Sequence, residues 1–201
     1  MATPTALLDD LRAVGTDVHD IWALVNTRER YPDAVPVLID WLDTIETREV
    51  PAYERPKLRE GIVRALSVPE ARPVAAPALI RELRRAAVSP HESSLAWAAG
   101  NALGVVADDS CYDDIVLVAQ DSTLGRSRQM VLQFALPRMK NSNATTVLLG
   151  LLDDPEINGS AIAGLAKRRD ERARAALERF LDDDRAWVRR EAEKGLAKLS
   201  L

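Results

Sequence analysis

The chain has 201 residues, 47% hydrophobic but only 4% aromatic, and a formal net charge of -4. That composition supplies a continuous apolar core rich in Ala, Leu and Val, and the acidic balance argues against a protein that neutralises a row of phosphates. Cys111 is the only cysteine, which excludes an intramolecular disulfide and points to a reducing compartment.

The start, residues 1–14, lacks a basic leader before an apolar run, and no apolar stretch approaches the ~20 residues that cross a bilayer. An unanchored cytoplasmic protein is the expectation. The charge is uneven: residues 1–123 hold 12 Lys/Arg against 20 Asp/Glu, whereas residues 124–201 hold 15 against 11. The last third therefore keeps nucleic acid open as a partner.

In chain order, Thr3-Pro4 offers a capping side chain before a proline, and Leu7, Leu8 and Leu11 form the apolar face of a first helix. Ala23-Leu24 anchors a second helix. After the Pro32-Asp33 turn, Leu38 and Leu42 share a face at i, i+4, and an insertion over residues 47–56 separates them from Ala65-Leu66. Trp41, beside Leu42, is expected to pack between repeats. Pro69 precedes Leu79 and Leu83, and Ser89-Pro90 precedes Ala102-Leu103. Beyond Asp108-Asp109-Ser110 comes Leu117, with Asp121 where a second leucine is expected, and then Ala135-Leu136. The turn at Asn141-Ser142-Asn143 leads to Leu148 and Leu152. Asp154-Pro155 leads to Gly164-Leu165, and Leu177 and Leu181 are followed by Gly195-Leu196.

The pattern is a repeat: a small residue and a leucine recur at intervals of 42, 37, 33, 29 and 31 residues, each pair preceded by another leucine-bearing helix. It predicts an all-α solenoid of about six stacked two-helix repeats forming one domain over residues 1–201.

In the last period, Asp182-Asp183-Asp184-Arg185-Ala186-Trp187-Val188-Arg189-Arg190 runs on through Ala192 to Gly195-Leu196. An acidic turn, Val-Arg, Ala, then a small residue and Leu resembles the HEAT-like repeat signature, and the other periods keep the small-Leu pair. The resemblance implies a right-handed superhelix, a concave surface lined by the second helix of each pair, and a scaffold that binds proteins.

With the anchor leucine as zero and 100° per residue, positions -8, -4, -1, 0 and +3 form the apolar side of each second helix. Positions -2 and -6 point away. They are Trp22; Glu60 and Arg64; Trp97 and Asn101; Met130 and Phe134; Gly159 and Ala163; and Arg190 and Lys194. Position -9 adds Lys57, Ser94, Ser127, Glu156 and Trp187. Large apolar side chains on a solvent-facing strip mark an interaction surface. The competing reading rotates the wheel by one position in repeats three and four and makes Trp97 and Phe134 core.

Catalytic motifs are missing from the sequence. His19 and His91 have no ligand-spaced partners, so neither a metal nor a cofactor is expected, and the glycines of residues 100–104 sit inside a helical repeat. The pairs Asp9-Asp10, Asp108-Asp109, Asp113-Asp114 and Asp153-Asp154 fall at turns, where Asp caps helices. Lys167-Arg168-Arg169 with Arg172 and Arg174 reads as a solvated helix end over a phosphate site.

The expected function is a non-catalytic protein-binding module, monomeric or weakly dimeric, serving as scaffold, assembly factor or neutraliser of a partner. The rival is an enzyme, since the resemblance extends to HEAT-like DNA glycosylases, in which Trp97, Trp187, Arg190 and Glu156 would supply aromatic, acidic and basic groups. A bilin lyase, another HEAT-like enzyme, has no distinguishing residue here.

Overall fold

A computed structural model describes residues 3–199, which divide into two compact units, Met1–Val106 and Ala107–Leu201. Every regular element among the described residues is helical, as the repeat predicts.

The first unit holds five α-helices: α1 (Thr5–Ala13), α2 (Ala34–Thr44), α3 (Arg55–Ala65), α4 (Ala76–Ala87) and α5 (Ser93–Val106). The second helix of the first pair is a single 3-10 turn, Ile21–Leu24, capped by the Asp20 carboxylate through the Trp22 amide at 2.9 Å. First helices pack on first helices (α1 on α2, α2 on α4), and second on second (α3 on the 3-10 turn and on α5). That is the nearest-neighbour stacking of a repeat array. Tyr31 ties two anchors together: its hydroxyl lies 2.8 Å from the Ala65 carbonyl and 3.1 Å from that of Leu24. Desolvation and the nearby Glu70 charge push its pKa up to about 12.

Charged groups inside this unit are fully engaged. Buried Arg59 donates to buried Glu82, to Glu46 at 2.8 Å and to the Leu42 carbonyl at 3.2 Å. Arg85 bridges Glu82 and Glu92, and hydrogen bonding to arginine holds the Glu46 and Glu92 carboxyls below their ordinary pKa. The network fixes α2, α3 and α4 against one another. Trp41 is buried, its indole N–H donating to Asp10 of α1 at 2.7 Å while Arg48 from the 47–56 insertion lies over its ring. It packs between repeats, as expected.

The second unit contains α6 (Tyr112–Gln120), α7 (Asn143–Gly150), α8 (Asn158–Arg168), α9 (Arg174–Arg179) and α10 (Ala186–Leu199). Between α6 and α7 the chain passes through a 3-10 stretch, Ser122–Arg128, a π turn, Val131–Ala135, and a last 3-10 turn, Leu136–Arg138. Two residues break this helix: Gly125 at φ 49°, and Pro137, which has no N–H for the carbonyl four residues back. The anchor leucines Leu24, Leu66, Leu103, Leu136 and Leu165 are buried, and Leu196 in α10 is half-buried.

Three sequence expectations need correction. Leu117 is 59% exposed, because α6 turns Ile115, Val118 and Ala119 inward. Pro4 is the N-cap of α1, not its first helical residue, and the Thr3 hydroxyl instead accepts from the Ile21 amide at 2.9 Å. Asp154 caps the turn before α8, accepting from the Glu156 amide at 3.0 Å and pairing with buried Arg128, so the helix starts only at Asn158. At Thr3 and Asp154 a tertiary partner claims the polar group that local capping rules assign to the helix.

Candidate functional site

In the first unit the second helices α3 and α5 lie side by side and carry the polar strip. Arg64 donates twice to Glu60 Oε1, at 2.9 and 2.8 Å, and Ser94 reaches the same oxygen at 3.1 Å. Trp97 stands one turn beyond Ser94, 48% exposed, and Asn101 one turn further, half-buried. Trp22 is half-buried: its ring lies 3.4 Å from the position a Cβ on Gly61 would take, behind Ile21 at 2.9 Å, and its indole N–H is buried with no acceptor among the described residues. Two depressions flank the strip, one of about 330 Å³ between Trp22, Lys57, Glu60 and Ser94, the other of about 240 Å³ beside Arg64, Ala98 and Asn101.

In the second unit Phe134 is 37% exposed and Met130 half-buried. Trp97 and Phe134 are thus surface residues, and the rotated wheel that made them core does not hold. The unrotated wheel, right at these two residues, fails in the fifth repeat, where Gly159 and Ala163 are buried. The cause is the neighbouring repeat: a Cβ on Gly159 would meet the Trp187 ring at 2.7 Å and Val188 at 2.9 Å. Trp187 therefore packs against α8 at Gly159, yet stays 40% exposed.

Around that ring is a depression of about 370 Å³ whose walls include Arg126, Gln129, Glu156 and Arg185. The Gln129 amide donates to the Glu156 carbonyl at 3.0 Å, and Arg185 is held by Asp183 and by Asn158 at 2.8 Å. Hydrogen bonding to Arg185 holds the Asp183 carboxyl below its ordinary pKa. Arg190 and Lys194 are exposed further along α10, Lys194 paired with Glu191 at 2.8 Å. Sequence periodicity did not find Arg126, Gln129 or Arg185, which lie outside the chosen wheel positions and come from loops and helix starts.

The basic run at the end of α8 is a solvated terminus only in part: Lys167, Arg169 and Arg172 are exposed, but most of the run is bonded to its own protein. Arg168 donates to Thr145 at 2.7 Å, to the Met139 carbonyl at 2.8 Å and to that of Asn141 at 2.9 Å. Arg172 grips Asp170, and Arg174 pairs with Glu171. Lys167 donates to the Gln133 carbonyl at 2.8 Å, and desolvation lowers its pKa. Arg169 makes no side-chain bond among the described residues, whereas the other four cations bind their own protein, which leaves few for a phosphate backbone. Among the described residues no cluster of His, Cys, Asp and Glu is arranged to hold a metal, and no helix is long and apolar enough to cross a membrane.

Residues 113–197 match the family model for HEAT repeats. Neither the curated proteins nor the solved structures contain a match to the chain.

Proposed function

We propose that this chain, a HEAT-repeat protein over residues 113–197, is a non-catalytic module of the cytoplasm that binds another protein along its second helices. The observation that supports the reading is the exposure of Trp97, Phe134 and Trp187, three of the few aromatics in the chain, all on second helices. Large aromatics of this kind anchor interfaces, and the surrounding paired charges suit a polar rim. Scaffold, assembly factor and neutraliser of a partner all use such a surface.

The test is retention of cellular proteins by the immobilised chain, compared with Trp97→Ala and Phe134→Ala. A protein retained by the wild type and lost from either variant, at unchanged melting temperature, supports the reading. Equal retention by all three refutes it.

The glycosylase reading draws on one further feature: Glu156 and Trp187 share the walls of one depression, with Arg190 a turn along α10. It requires binding to damaged duplex and release of a methylated base. We expect only weak, salt-sensitive duplex binding, because Arg168, Arg172 and Arg174 are already engaged.

A further inference from the structure

Resting on the protein-binding reading, we infer that the Trp187 depression takes an acidic side chain, with an apolar neighbour, from a segment of the partner protein. Its unengaged charged donors are arginines. Arg126 is exposed and its guanidinium makes no hydrogen bond or ion pair among the described residues. Across the depression Arg185 is oriented by bonds from Nε and Nη2 to Asp183 and from Nη2 to Asn158, so its fork is fixed with Nη1 unengaged among the described residues. Two guanidinium groups facing one cavity match a carboxylate, which arginine binds with directional, charge-assisted hydrogen bonds. Arg190, one turn from Trp187 on α10, is exposed and likewise makes no side-chain bond among the described residues, which extends the positive field along the helix.

The floor is built in advance. Because Gly159 has no side chain, the Trp187 indole rests against α8 while it lines the cavity. An aliphatic or aromatic residue next to the carboxylate would stack there at little cost in ordering the protein. Glu156, on the same wall, has a carboxylate that no donor reaches among the described residues. Its charge opposes a phosphodiester and the partner's own carboxylate alike, but it accepts a peptide N–H, which a phosphodiester backbone does not have. This asymmetry favours a peptide over a nucleic acid.

The test pans a displayed library of random peptides against the full chain and against the double variant Arg126→Glu, Arg190→Glu, at about physiological ionic strength. Neither arginine holds structure, so the variant should keep its melting temperature, and Arg126→Ala serves if it does not. The wild type should enrich Asp or Glu beside an apolar residue, and the variant should lose that preference. The best acidic peptide should bind the variant about tenfold or more weakly, and Trp187→Ala should remove the apolar preference. Enrichment of Lys/Arg by the wild type, no enrichment, or an acidic preference untouched by charge reversal overturns the inference. So does arginine-dependent binding of a labelled single-stranded or duplex DNA tighter than that of the peptide. If Trp97→Ala loses a cellular protein while acidic peptides are not selected, this inference fails and the protein-binding reading stands.

Discussion

The ammonium of Lys167 lies 3.9 Å from the centre of the Phe134 ring and donates, at 2.8 Å, to the carbonyl of Gln133. That carbonyl is four residues before Pro137, the residue whose missing N–H leaves it without a helical partner. One cation thus both repairs the break in the fourth second helix and holds the exposed ring in place.

Lys167→Met keeps the aliphatic stem and removes the donor, so it should destabilise the second unit by about 1–2 kcal/mol, the cost of an unpaired carbonyl and a lost cation–π contact. Thermal unfolding measures this. A variant as stable as wild type would mean that water replaces the ammonium.

The mid-array anchors should behave quite differently from the surface aromatics. Leu103→Ala and Leu136→Ala remove buried side chains and should cost about 2–5 kcal/mol each through transfer and cavity terms. Leu196→Ala, at a half-buried site, should cost less. Trp97→Ala and Phe134→Ala should leave denaturant midpoints nearly unchanged, while partner affinity falls by ~2 kcal/mol or more if these rings are anchors. Steep loss of stability at Trp97 would contradict its observed exposure.

Stability should fall in acid, with Asp170 as one source. Its carboxylate is gripped by the Arg172 side chain and accepts from Thr145 at 2.7 Å, and these bonds outweigh desolvation and hold its pKa far below the ordinary value. A depressed carboxyl stabilises the fold fully above its unfolded pKa, about 3.9, and progressively less as pH falls through the folded value. The stability gap between wild type and Asp170→Asn should therefore be constant near neutrality and shrink below about pH 4. Chemical denaturation across that range checks it, and a gap independent of pH would exclude the ion pair as its origin.

The repeat was legible because burial obeys period: every pair of a small residue and leucine lies on a helical segment or, at Leu66, caps its end, and the exposure of Trp97 on α5 follows from 100° per residue. The period carries no information about where a neighbouring repeat lands. Gly159 and Ala163 are buried for that reason, and the irregular course of residues 122–138 depends on Pro137 and Gly125 together with a lysine some thirty residues later. The Trp187 depression was half legible. Its aromatic and its acid occupy a wheel position, whereas Arg126 and Arg185 lie in segments without helical periodicity.

The glycines of the last two anchor pairs sit where neighbouring second helices approach closely, and three glycine substitutions separate that steric requirement from helix propensity. A Cβ on Gly164 would lie 2.5 Å from the backbone oxygen of Leu132, which cannot yield without moving the neighbouring repeat. On Gly195 the nearest atoms are the tip of Leu177 at 2.8 Å and the Cα and Cβ of Ala166 at 3.0 Å, a milder conflict because the leucine tip can rotate and the Ala166 backbone is half an ångström further off than the Leu132 oxygen is from Gly164. Around Gly150, at the end of α7, there is nothing within 4 Å. Alanine gains up to about 1 kcal/mol over glycine in a helix, and overpacking costs about 1–3 kcal/mol. Gly150→Ala should therefore be neutral or slightly stabilising and Gly195→Ala close to neutral. Gly164→Ala should be clearly destabilising. Melting temperatures ranked in any other order would mean that the α8 approach to residues 131–135 is looser than its 2.5 Å clearance implies.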